Sequence, residues 1–87
     1  MSRLMEISKK IDSHIAAIDA SSDRTTILWH HSRCIGKIRR LSFELNMGMG
    51  YSNTQLVKDA CDVERNRLSV AYRAAIDRNY ARIGGGK

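Results

Sequence analysis

His30, His31 and Cys34 fall within five residues of one another, and His30 and Cys34 are one helical turn apart at i, i+4. Imidazole and thiolate are ligands that zinc accepts, and His14 or Cys61 could complete such a set. The spacing contains neither a CxxC nor an HxxxH pair, and His31 and Cys34 fall on an apolar stripe. A core thiol with boundary histidines is therefore the expectation, with no metal and no cofactor. Glu64 and Arg67, three residues apart within an apolar arc, suit a partly buried ion pair that fixes helix register. No nucleophile motif, phosphate loop or carboxylate pair is present. The chain is expected to carry no catalytic residues and not to be an enzyme.

Trp29, Arg33, Gly36, Arg40, Phe43 and Met47 are spaced 4, 3, 4, 3 and 4, a heptad-like seam. Trp29 and Phe43 are the chain's one Trp and one Phe. Aromatic rings and arginines are the residue types that anchor protein interfaces, and a glycine at the centre admits a close partner backbone. These six residues are the expected partner-binding face, on the side of their helix away from the core. The partner is expected to be a protein or nucleoprotein with an acidic surface, and a second copy of the chain is one candidate.

Charge is concentrated in blocks. Residues 1–23 carry −1, 24–43 carry +5, 44–64 carry −3 and 65–87 carry +5, for a net charge of +6. Ten of the fifteen bases are Arg, whose planar fork suits phosphate or carboxylate. In an antiparallel hairpin the two +5 blocks lie side by side. The alternative reading is thus a nucleic-acid-binding regulator that uses Arg33, Lys37, Arg39, Arg40, Arg65, Arg73, Arg78 and Arg82. No zinc-finger spacing, aromatic RNA-binding strand motif or helix-turn-helix turn accompanies them.

Two short likenesses end quickly. Arg24 and His30 have the Arg-x5-His spacing of some helical ribonucleases, a pattern that arises easily by chance. Gly36-Lys37-Ile38-Arg39 and Asp62-Val63-Glu64-Arg65 faintly resemble segments of small all-helical chorismate mutases, over about a tenth of the chain. Leu28 stands where that family needs an arginine, and Ser21–Asp23 interrupts its long first helix. No family is assigned.

The elements that must position these residues are three helices. Leu4, Ile7, Ile11, Ile15 and Ile18 make a narrow stripe at about 100° per residue, which predicts a helix over 3–20. Ser21, Ser22 and Asp23 favour caps and end it. Ile27, Leu28, Ile35, Ile38, Leu41 and Leu45 mark the core stripe of a second helix over 24–47, closed by Gly48 and Gly50. Ser52 with Gln55 fits a capping box, and Tyr51 with Leu56 a hydrophobic staple, for a third helix over 53–83. Its broad apolar arc, from Leu56 and Val57 through Ala60, Val63, Leu68 and Val70 to Ala75, predicts two neighbours and a central place. Arg78 and Arg82 near its end complement its dipole. Folding the hairpin near residue 50 sets Ile38 opposite Val63 and Ile27 opposite Tyr72, and offsets the two cysteines so that no disulfide forms.

The 87 residues allow one domain, over 1–83, with Gly84–Lys87 as a flexible glycine-rich tail. The composition is 43% hydrophobic and 28% charged, without proline. That fits an all-α three-helix bundle with a long antiparallel helix 2–helix 3 hairpin, and excludes Pro-rich and most barrel folds. No apolar run approaches a membrane span or a secretory segment. Two unpaired thiols fit a reducing cytoplasm. The expected function is a small, basic, non-enzymatic binding protein. It is an accessory, inhibitor or regulator of the kind common in phages and plasmids, by analogy only.

Overall fold

The computed structural model describes residues 3–49 and 54–84. Three helices, α1 (Arg3–Asp19), α2 (Arg24–Met49) and α3 (Thr54–Gly84), pack as an all-α bundle, with no strand among the described residues. His14 meets His30, and His31 meets Tyr72, so each consecutive pair runs antiparallel. Asp12 reaches Arg67 and Ile18 reaches Arg78, so α1 and α3 run parallel.

The narrow stripe of α1 forms the expected contact. Ile7, Ile11, Ile15 and Ile18 are all buried, against Ile27, Cys34, Ile38 and Leu41 of α2 and Val57, Cys61, Leu68, Ala71 and Ala75 of α3. Leu4 lies at the margin, one turn beyond the buried part of the stripe. Cys34 and Cys61 are both buried and both free. Burial, with the Glu64 carboxylate nearby, pushes the Cys34 thiol up to about 11, so it sits in the core as a neutral group.

Two connections hold α1 in place. Asp23 caps α2: its carboxylate accepts from the Thr26 amide at 3.0 Å and the Thr26 hydroxyl at 2.7 Å. At the other side of the turn, the Arg78 guanidinium donates to the carbonyls of Ile18 (2.9 Å), Asp19 (2.9 Å) and Ser21 (3.1 Å). Ile18 and Asp19 are in the last turn of α1, whose carbonyls lack i+4 partners within the helix, and the Ile18 carbonyl also accepts from the Ser21 amide at 3.1 Å. Asn79, buried, donates to the Ser22 carbonyl at 2.7 Å. Arg78 therefore serves the end of α1, whereas its position near the end of α3 suggested that it serves its own helix.

Several expectations are corrected. Leu28 is exposed, because it lies about 100° round α2 from Ile27, at the edge of the stripe. Leu56, Ala60, Val63, Val70 and Ala74 are exposed, so α3 buries a single narrow stripe and Val63 does not face Ile38 in a core. The most extensive contacts belong to α2, and the α1–α3 interface is the smallest, so α2 is the central element. Gly48 lies within α2, and Gly84 is the last residue of α3 rather than part of a tail. The cap at Ser52 and staple at Tyr51 lie outside the described residues. The molecule is elongated, 55 × 24 × 13 Å.

Leu41→Ala is expected to lower unfolding free energy by about 2–4 kcal/mol, and Val63→Ala by less than about 0.5 kcal/mol, as urea titration would measure. Arg78→Ala removes three hydrogen bonds from the α1–α2 turn, and about 1–3 kcal/mol of destabilisation should follow. Arg78→Lys recovers only part of it, since all three bonds come from the terminal Nη2 and a lysine side chain is shorter than that reach.

Candidate partner-binding groove

The seam on α2 is outside the core. Trp29 is 50% exposed, Phe43 55% and Met47 70%, and a Cβ added at Gly36 would meet nothing within 4 Å. The Arg33 guanidinium lies 4.9 Å from the Trp29 ring centroid, and that of Arg40 lies 5.6 Å from the Phe43 centroid. Such stacking draws the cations toward the aromatic faces and keeps both rings from lying bare in water. Arg40 also meets Glu44 at 3.3 Å.

Beside this seam a groove of about 770 Å³ runs between α1 and α2, lined by Glu6, Ile7, Lys10, Ser32, Arg33, Gly36, Lys37 and Arg40. A second hollow of about 380 Å³ shares Lys10, Arg33 and Lys37 with it and adds Ser13, His14 and Trp29. Through these shared residues the two join in one depression with four cationic side chains, one carboxylate and the Trp29 ring, while Phe43 lies outside it against Arg40. Arg33 and Lys37 make no ion pair among the described residues. Their field, together with low-dielectric walls, favours an anionic occupant.

Lys10, Ser13 and His14 of α1 belong to this surface and were not singled out as a group by sequence reasoning. Lys10 and His14 stand at i, i+4 on the flank of the isoleucine stripe. That spacing is the signal which could have placed them on the edge facing α2.

His14 Nδ1 and His30 Nδ1 are 2.9 Å apart, so one ring donates and the other accepts. The His14 ring also meets Trp29 edge-on at 6.1 Å. His14 is held below its ordinary 6.5, mainly by burial and then by the charge of His30, Lys37 and Arg33. His31 points instead to α3, where it stacks 4.2 Å from Tyr72, and burial lowers it as well. Cys34 points into the core. His30, His31 and Cys34 thus leave α2 on three sides, and among the described residues no cluster of three could hold a metal ion. Arg24 is exposed, while His30 is turned to His14.

Glu64 and Arg67 form the expected pair at 2.8 Å, and Arg67 extends it across the helices to Asp12, also at 2.8 Å. The bridge ties α1 to α3, and the hydrogen bond that Arg67 donates to the Asp12 carboxylate keeps the guanidinium firmly charged.

The eight residues of the nucleic-acid alternative do not form one surface. Arg33, Lys37 and Arg40 line the α1–α2 groove, whereas Arg39 and Arg65 line a separate hollow of about 390 Å³ between α2 and α3. Arg65 is paired with Asp62 at 3.0 Å, and Arg78 is committed to the α1–α2 turn. Arg73 and Arg82 are exposed on α3. No helix among the described residues is long and apolar enough to cross a membrane. Compared with protein-family models, curated proteins and solved structures, the chain matches none.

Because the folded chain binds protons at His14 and His31 less readily than the unfolded chain, stability is full above about pH 6.5 and declines as pH falls through the histidine range. The urea midpoint should drop between about pH 7.5 and pH 5, and His14→Gln should flatten that slope. An unchanged slope would mean that the pair does not couple to folding.

Proposed function

We propose that the protein is a small, basic, non-catalytic binding module that docks an acidic segment of a partner protein in the α1–α2 groove. The observation that carries this reading is the exposure of the single Trp and the single Phe beside four cations that share one depression. A carboxylate-rich segment would neutralise Lys10, Arg33, Lys37 and Arg40, while apolar side chains of the same segment cover Trp29, Phe43 and Met47. The open space over Gly36 lets a partner helix approach α2 closely. A regulator or inhibitor of cytoplasmic machinery fits these features, including two buried unpaired thiols suited to a reducing compartment.

Nucleic acid is the second reading, favoured by the pairing of groove cations with exposed aromatic rings, the combination that single strands use. It is the weaker one. The remaining bases of that set are spread over a second groove and the surface of α3, and two of them are engaged within the chain.

Calorimetric titration with a Glu-rich helical peptide and with a single-stranded oligonucleotide, each over a salt series, separates the two. Binding of the peptide is expected, with Trp29→Ala weakening it about 30-fold and Arg40→Glu at least tenfold, at unchanged melting temperature. Tight oligonucleotide binding with a steep salt slope would move the function to the second reading. Loss of fold in Trp29→Ala would return the seam to the core and end the proposal.

A further inference from the structure

The exposed residues of α3 form a second seam, on the opposite flank of α1 from the basic groove. Leu56, Ala60, Val63, Arg67, Val70 and Ala74 are spaced 4, 3, 4, 3 and 4, and all six are exposed. Leu56 and Val63 are each 57% exposed and Val70 is 70% exposed, in a helix whose other face already supplies its share of the core. A heptad-spaced apolar stripe on a preformed helix is the surface that another helix packs against.

We propose that this seam is closed by the same seam of a second copy of the chain, running antiparallel, in a twofold-symmetric dimer. Leu56, Val63 and Val70 occupy one set of heptad positions along it, and the other holds two small residues, Ala60 and Ala74, on either side of Arg67. An antiparallel pair sets each member of one set against the other. Leu56 then meets Ala74 of the second copy, Ala60 meets Val70, and Val63 meets the apolar stem of Arg67. The Arg67 head is already neutralised by Asp12 and Glu64, so the stem can lie over a valine without leaving a bare charge at the interface.

The flanking charges agree with the same register. Asp59, Asn66 and Arg73 follow one another at intervals of seven along the outer edge of the seam. Antiparallel packing sets Asp59 against Arg73 of the second copy at both ends and Asn66 against itself on the axis. Arg73 makes no ion pair among the described residues, and Asp59 accepts a hydrogen bond at one oxygen, from Gln55 at 2.8 Å. A parallel pair would set Asp59 near Glu64 of the other chain and Arg67 on Arg67, with alanine facing alanine across a gap. Self-complementarity of this kind is what an interface between identical patches requires. A shallow hollow of about 480 Å³ beside the seam, lined by Ile15, Asp19, Asn66, Arg67, Val70 and Ala71, has room for side chains of the incoming helix. The seam is about 27 Å long, short for a free coiled coil, but α3 is already ordered by the bundle and association pays no helix-forming entropy.

Sedimentation equilibrium over a concentration series tests this. A monomer–dimer equilibrium is expected, with Val70→Glu weakening the dimer at least about tenfold at unchanged helicity. Asp59→Arg should weaken it, and Asp59→Arg combined with Arg73→Asp should restore it. Under mild oxidation Asn66→Cys should give a covalent dimer, while Gly36→Cys on the α2 seam should not. A monomer at every concentration overturns the proposal, as does a dimer that is indifferent to Val70→Glu or fails to cross-link through position 66.

Discussion

A helix of 17 residues is laid against helices of 26 and 31, and that mismatch governs what the surface can be. At 1.5 Å per residue α1 spans about 26 Å, against roughly 39 Å for α2 and 46 Å for α3. The buried stripe of α1 covers the lower part of the hairpin, from the α1–α2 turn to the level where Glu6 and Ile7 lie beside Arg40. Beyond that level the hairpin has only two layers, and Phe43, Met47 and Leu56 stay in water. The elongated shape follows from the same cause. Arg78 and Asn79 set where α1 begins its descent, because they hold the carbonyls at its end and at the turn that follows.

Within that frame the placement of charge follows from which helix edges meet. α1 turns Lys10 and His14 toward α2, and α2 answers with Arg33 and Lys37, so like charges accumulate along one groove. On its other edge α1 turns Asp12 toward α3, where Arg67 and Glu64 close a network of alternating sign. The second edge is internally satisfied and ties the bundle together. The first is not, and there burial first, then the neighbouring positive charge, holds His14 below its ordinary value. An uncompensated field of this kind is a drain on stability unless an external anion relieves it, which is the physical content of the docking proposal.

The fold was largely legible in the sequence, and particular residues explain where it was and was not. Isoleucines at 7, 11, 15 and 18 leave one orientation for α1, and Asp23 followed by Thr26 marks the start of α2 almost to the residue. The α2 seam was legible for the opposite reason: aromatic rings and a glycine stood on a face that the core stripe had no use for. α3 was misread because its apolar residues cover too wide an arc for periodicity to choose among them. Val57, Cys61 and Leu68 are buried while Leu56, Val63 and Val70 are not, and composition alone does not distinguish the two sets. The role of Arg78 was invisible, since it depends on a carbonyl sixty residues away. Gly48 did not end α2, because a single glycine inside a helix costs only about 1 kcal/mol.

The two seams differ in chemistry in a way that keeps their occupants apart. The α2 seam is bordered by the cations Arg33, Lys37 and Arg40, which suit an acidic occupant better than a second basic copy. The α3 seam has bordering charges of both signs, arranged so that reversal of direction matches them. With α1 standing between the two, a chain paired through α3 keeps its basic groove open to solvent. A twofold pair would then present two such grooves held rigidly with respect to each other. A partner offering two acidic segments at the matching separation would engage the second at a high effective concentration once the first was bound. Modest affinity at a single groove, as expected for a surface rich in exposed charge, is compatible with firm docking of the pair.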